Sequence, residues 1–318
     1  MKIDLITGFL GAGKTTFIHL YARYLIGRGE KICILENDYG AVNVDMMFLQ
    51  DLLGENCELE MVVGGDGLEA HRRRFKTKLI SMAMTGYDRV LVEPSGVFDV
   101  DEFFDVLREE PLDRWYEAGN VISIVSANAE NELSADSRYI LASQIADAGC
   151  VILSKVQLAG SEDVSGTIRL MNSVMEECGC SRRFGSDLIA QDWDEFDHKM
   201  FERISSCGYR QESHVKYQVE RDNAYSSVFY FYVSMKESEI REAVKRIFED
   251  PSCGDIYRIK GFVKTDHGQW LRINAVREKA EYLFADTGQD ALIVIGENIN
   301  KPAIDSYLLS SARYHGEL

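Results

Sequence analysis

No apolar run in this 318-residue chain approaches the roughly 20 residues that a helix needs to cross a bilayer. A membrane role is therefore not expected. The chain has no disulfide framework either. Its seven cysteines (33, 57, 150, 178, 180, 207 and 253) are odd in number and scattered, which fits reduced thiols in the core or at the surface. Positive charge is scarce: 35 Lys and Arg stand against 52 Asp and Glu, for a net charge of −17. General nucleic-acid binding is thereby disfavoured, because phosphate contacts supply most of that affinity. Such a surface favours solubility and attracts cations. Repeats, low-complexity tracts and His-rich segments are also missing.

What is present is a globular composition, 46% hydrophobic, and enough chain for two domains. The β-rich runs "KIDLIT" (2–7), "KICIL" (31–35), "RVLVE" (89–93), "NVISIVSA" (120–127) and "CVILS" (150–154) are continuously apolar. Parallel strands covered on both faces read this way. Phe17, Leu20, Tyr21, Tyr24 and Leu25 recur at helical spacing between the first two, and 137–147 also reads as a helix. The pattern predicts a doubly wound, mostly parallel α/β domain over 1–212. Beyond it the runs "HVKYQVE", "SSVFYFYVS", "DIYRIKGFVKT" and "WLRINAV" are strand-like, with helices at about 236–249 and 300–312. They predict a smaller α+β domain over 213–318.

The N-terminus supplies the strongest chemical signal. "GFLGAGKT" (8–15) fits G-x-x-x-x-G-K-S/T, follows an apolar strand and opens an amphipathic helix. The start of the chain is thus a phosphate loop rather than a signal peptide, and a cytoplasmic protein is expected. Gly8, Gly11 and Gly13 let successive backbone N–H groups face one anion, and the helix N-terminus adds partial positive charge. The expected nucleotide contacts are Gly8, Gly11, Ala12, Gly13, Lys14, Thr15 and Thr16. Lys14 would reach the β- and γ-phosphates, and the Thr15 hydroxyl would ligate Mg²⁺. In "RVLVEPSG" (89–96), Glu93 would hold Mg²⁺ through water and the Gly96 amide would sense the γ-phosphate; an ordinary strand-end acid is the other reading of Glu93. "ENDYGAVNVD" (36–45) has the character of a switch loop, with Asp38 and Asp45 as candidate cation ligands, or of a plain surface loop. Lys14, Glu93 and Asp38 are the candidate catalytic residues, and Thr15, Glu93 and Asp38 the candidate Mg²⁺ ligands.

"VILSKVQ" (151–157) is where a guanine reader usually ends its strand in Asn/Thr-Lys-x-Asp. Here Ser154 and Lys155 fit loosely and Gln157 replaces the aspartate. A carboxylate accepts from both guanine N1–H and N2–H₂, whereas glutamine offers one acceptor oxygen and an NH₂ that faces donors. Lys155 can still pack its stem along the base. GTP binding with weakened discrimination against ATP is the expectation.

Taken together, "ITGFLGAGKTT", "ENDYG…VD", "VEPSG", "YRIKGF" and "LIVIGE" resemble the CobW-like GTPases, relatives of the HypB and UreG nickel-insertion proteins. The resemblance covers nearly the whole chain, including a CobW-type C-terminal domain. It implies nucleotide-gated delivery of a metal ion or metal cofactor to a client metalloprotein or cofactor protein, a corrinoid protein being one possibility. One departure stands out. Family members usually carry G-C-x-C-C between the switch loop and the Glu93 strand, but this chain has "VVGGDGLEA" (62–70), and its nearest cysteine is Cys57. Three thiolates suited to Zn²⁺ are absent there, and Asp66 reads as a D-G turn. The expected cation is Mg²⁺ with nucleotide, with no tightly held zinc.

Four further features carry bland readings beside sharper ones. Cys178 and Cys180 are either loop thiols or an incomplete metal pair. "HRRRFKTK" (71–78) is either a solvated helix face or a dock for an acidic client or a second subunit, so a homodimer stays open. His71 and His267 are expected at the surface, and would be ligands only if folding brought others to them. "VFYFYV" (228–233) is expected to be a core strand rather than a stacking platform.

Overall fold

The computed structural model describes residues 1–38, 45–63, 68–129, 133–185, 187–210, 225–233, 235–277, 279–286, 288 and 290–309. Contacts divide the chain into two compact units, Met1–Gln218 and Val219–Leu318. That division and the expected 212/213 boundary both fall within 211–224, outside the described residues.

The first unit is built on six parallel strands. They are β1 (Lys2–Thr7), β2 (Ile32–Asp38), β3 (Cys57–Val63), β4 (Arg89–Pro94), β5 (Glu117–Ser126) and β6 (Cys150–Ser154). Their order is β3-β2-β4-β1-β5-β6, every neighbour parallel. Among the described residues the helices are α1 (Lys14–Gly27), α2 (Leu68–Ala83), α3 (Val100–Leu107), α4 (Leu112–Trp115), α5 (Ala135–Ala146), α6 (Ser161–Glu177) and α7 (His198–Ile204). One apolar layer joins Leu5, Leu35 and Val92 to Phe75 and Leu79 of α2, Phe103 of α3, Leu141 of α5 and Met171 of α6. The other joins Ile6, Ile34 and Leu91 to Phe17, Tyr21 and Leu25 of α1 and Ile204 of α7. Both faces of the sheet are therefore covered, which is why its central strands read as unbroken apolar runs. From β1 the chain winds outward through β2 and β3, and later to the other side through β5 and β6. The carboxyl end of β1 lies where the winding reverses, the place where open parallel sheets bind ligands.

The second unit is an antiparallel sheet of order β10-β9-β8-β11-β7. Its strands are β7 (Tyr225–Phe231), β8 (Asp255–Lys264), β9 (Trp270–Val276), β10 (Lys279–Ala285) and β11 (Ala291–Glu297). Its described helices are α8 (Glu237–Glu249) and α9 (Lys301–Leu308). Ile240, Ala243, Val244 and Ile247 of α8 are buried at the spacing of one helix stripe, and they share a core with Ile256, Ile273 and Val294. β9 alternates half-buried with buried side chains, as a one-sided sheet requires. The run "VFYFYV", expected as a core strand, is strand only as far as Phe231, and among the described residues it lies at the edge of the sheet. Tyr230 is buried, but Phe231 and Tyr232 are 49% and 84% exposed. The run 214–220 lies outside the described residues.

Candidate functional site

Between β1 and α1 the backbone turns on Gly8, Gly11 and Gly13, whose φ angles are +146°, +73° and +98°. A Cβ on Gly8 would lie 2.2 Å from the Ile124 carbonyl oxygen, so only glycine fits against β5. Lys14 opens α1 with its Nζ folded back onto the Gly8 carbonyl at 3.1 Å, which closes the loop on itself. Ala12 is buried and Thr16 is exposed.

β4 lies beside β1 and delivers the second element. Thr15 Oγ1 donates to Glu93 Oε1 at 2.9 Å, and both side chains are buried. A hydroxyl and a carboxylate at a phosphate-facing loop are hard oxygen donors, the set that Mg²⁺ takes. Gly96 follows in the turn after β4 and sits against the loop: a Cβ there would come within 2.7 Å of the Leu10 backbone nitrogen. On α5, Gln144 Nε2 donates to the carbonyls of Gly96 (2.9 Å) and Phe98 (3.4 Å). Ser143 Oγ accepts from the Val100 N–H at 3.1 Å and donates to Asp99 Oδ1 at 2.7 Å.

The third element is the end of β6. Ser154 is buried and turns its hydroxyl toward the Val125 carbonyl at 3.4 Å, into the sheet. Lys155 is half-buried with φ +58°, a left-handed conformation costly for a side chain with a Cβ. Such strain clusters at working sites. Gln157 follows in a short 3₁₀ turn, Val156–Leu158, and is exposed. The side chain of Asp38 at the end of β2, that of Asp45, and all of Asp66 lie outside the described residues.

Sequence reasoning missed three residues that the fold brings here. Glu36 on β2 pairs in register with Glu93 and is likewise buried. Its signal was available, since "CILE" and "VLVE" both end an apolar run in glutamate. Trp193 rests its indole near Gly13: Cη2 would be 3.3 Å from a Cβ there, with Ser154 Cβ 3.9 Å from the same point. Its ring stands edge-on to Phe17 at 5.6 Å. Gln144 is the third, a polar side chain on a helix whose residues 139–146 are all buried.

Other expectations change. His71 is not a surface residue: it is 2% exposed, and its Nε2 lies 2.8 Å from Asn37 Oδ1. His267 is exposed. The 71–78 segment is largely neutralised within the fold, for Glu109 pairs with Arg72 (2.7 Å) and Lys76 (2.6 Å), and Glu60 with Lys78 (2.8 Å). Those two partners hold the Glu109 carboxyl below its ordinary pKa, the Lys76 hydrogen bond most. Burial pushes the Cys33 and Cys57 thiols up to about 12 and about 11, away from the thiolate a metal needs. Cys178 is half-buried and Cys180 buried, both free thiols. Among the described residues no three His, Cys, Asp or Glu side chains cluster as a metal site, and no helix is long and apolar enough to cross a membrane.

A strand, a glycine-turned loop capped by Lys14 and Thr15, and an acid from the neighbouring strand define a P-loop nucleotide-binding protein. The chain belongs to the CobW family: residues 2–178 match the CobW/HypB/UreG nucleotide-binding domain, and residues 226–312 match the cobalamin synthesis protein CobW C-terminal domain. It is 27% identical over 177 residues to the zinc chaperone YjiA of Escherichia coli (strain K12), covering 51% of this chain and 52% of that one. With the zinc chaperone YeiR of the same organism it shares 28% over 156 residues, covering 48% and 46%. The chain thus spans about half the length of the curated relatives it matches. Among solved structures, Zn(II)-bound YjiA GTPase from E. coli overlaps it with a TM-score of 0.38 and 19% identity, over 98% of this chain and 99% of that one.

Proposed function

We propose that this protein is a Mg²⁺-dependent GTP-binding switch that hydrolyses GTP slowly and assists assembly of a metal centre or metal cofactor on a client protein. The observation that carries the reading is the 2.9 Å contact of Thr15 with Glu93 beside the Gly8–Lys14 loop. Family membership supplies the nucleotide-binding domain, and relatives named as zinc chaperones support metal as the cargo.

Lys14 exchanges its bond to the Gly8 carbonyl for the phosphates, whose charge the backbone N–H groups of 8–15 also face. Thr15, and Glu93 through water, would hold Mg²⁺, which would supply neutralisation of charge on the triphosphate. Glu93 also orients water near the γ-phosphate, and Gly96 follows the loss of that group. Lys155 packs on the base, with Gln157 as its imperfect reader. The cytoplasm is the expected compartment. The client is a metalloprotein or a cofactor protein, with a corrinoid protein among the candidates because 62–70 lacks the family's thiolates.

Multiple-turnover GTP hydrolysis with Mg²⁺ tests the reading. Glu93→Gln should keep GTP affinity and lower turnover by roughly 10²-fold. Equal turnover by wild type and variant would remove Glu93 from the chemistry. No turnover at all, with or without client, would leave a nucleotide-binding adaptor.

A further inference from the structure

Helix α5 is buried nearly all round, since Ser137 and every residue from Tyr139 to Ala146 lie inside. A helix in that position is ordinarily apolar throughout. Gln144 breaks the pattern while fully buried, and its Oε1 has no hydrogen-bond partner among the described residues. An orphaned buried acceptor destabilises a fold, and an apolar residue of the same shape would avoid it. What the glutamine gives in return is its Nε2, which holds the carbonyls of Gly96 and Phe98. Ser143, the preceding residue, holds the Val100 N–H and the Asp99 carboxylate, and Tyr139 reaches the same carboxylate at 3.4 Å. Consecutive α5 side chains thus grip the whole turn from Gly96 to Val100.

That turn lies directly on the phosphate loop, where the Gly96–Leu10 approach leaves no room for a Cβ. Three residues past the end of α5 the chain enters β6, whose far end carries Ser154 and Lys155. One helix therefore links the Gly96 turn beside the phosphate loop with the strand that ends at Ser154.

We infer that Gln144 is a positioning residue for triphosphate recognition: it fixes the Gly96 turn in the orientation that distinguishes a nucleoside triphosphate from a diphosphate. Ser143 supports the same turn from its other end. The inference rests on the nucleotide reading above and adds the element that makes the site sensitive to the third phosphate.

The test compares Gln144→Met, similar in length but without the amide donor, with the wild type. Affinities for a non-hydrolysable GTP analogue and for GDP are measured by calorimetry in Mg²⁺, beside thermal melting. Roughly tenfold loss of affinity for the triphosphate, with GDP affinity unchanged, is the expected result. Ser143→Ala should shift the ratio the same way by less, and it serves if Gln144→Met fails to fold. An unchanged triphosphate-to-diphosphate ratio in a folded variant overturns the inference, as does an equal loss of both ligands, which would mark a purely structural glutamine. GDP bound normally by both proteins in the first of those outcomes would leave the nucleotide reading standing. Failure of the wild type to bind either ligand would remove that reading itself.

Discussion

The two ends of the parallel sheet gather buried polar groups in different ways. At the amino end, Asp4 is fully buried and every direction around it is answered. It accepts from Arg89 Nη1 (2.7 Å), Tyr21 Oη (3.0 Å), and the Asn120 backbone (2.8 Å) and side-chain (3.0 Å) nitrogens. Arg89 also reaches Glu30 at 2.9 Å, and Asn120 accepts from the Gly208 N–H at 2.8 Å. Burial, then the Asp4 charge, drives the Tyr21 phenol far above its ordinary pKa, so it stays a donor. At the carboxyl end, Lys14, Thr15, Glu36 and Glu93 are buried as well. There Lys14 and Thr15 follow a loop that turns on Gly8, Gly11 and Gly13, Glu93 meets Thr15, and Glu36 lies in register beside Glu93. One end uses charge to lock strands together, while the other collects charge around a place for phosphate.

The largest expected effect breaks the locked end. Asp4→Ala should destabilise the fold by about 3–5 kcal/mol, because Arg89 is left buried without its main counter-charge. Urea unfolding measures it, and GTP affinity of the protein that remains folded should be unchanged. A loss below about 1 kcal/mol would mean that Glu30 alone satisfies Arg89.

A smaller effect sharpens the ligand end. Gln157→Asp should restore guanine selectivity by roughly 10- to 150-fold, the equivalent of about 1.5–3 kcal/mol for one charged acceptor. Because Gln157 is exposed, stability should hardly move. Competition binding with GTP and ATP reads the change. Unchanged selectivity, with ATP preferred in both proteins, would take this turn out of base reading.

The contrast also explains what could be read from the chain. β1, β4 and β6 were legible because strands buried on both faces are apolar without interruption. β3 was not: it is only partly buried and carries Glu58 and Glu60, which the fold answers with Tyr87 and Lys78. "VFYFYV" misled for the opposite reason, an edge strand that keeps aromatics on its open side. The segment near His71 looked like a solvated basic face, yet His71, Phe75, Leu79 and Met82 follow the buried stripe of α2. Local motifs marked Gly8 to Thr15, Glu93 and Gly96. Trp193 and Gln144 carry no motif, and only the fold brings them to the loop. Of the family's thiolate segment, 64–67 lies outside the described residues.

The central claim is that the carboxyl end of β1 binds a nucleoside triphosphate through Lys14. Calorimetric titration of GTP with Mg²⁺ into wild type and Lys14→Ala tests it most directly, with matched melting curves as the check on folding. Saturable binding by the wild type is expected, with a loss on the order of 10²-fold or more in a variant that melts normally. Near wild-type affinity in a folded Lys14→Ala protein would contradict it.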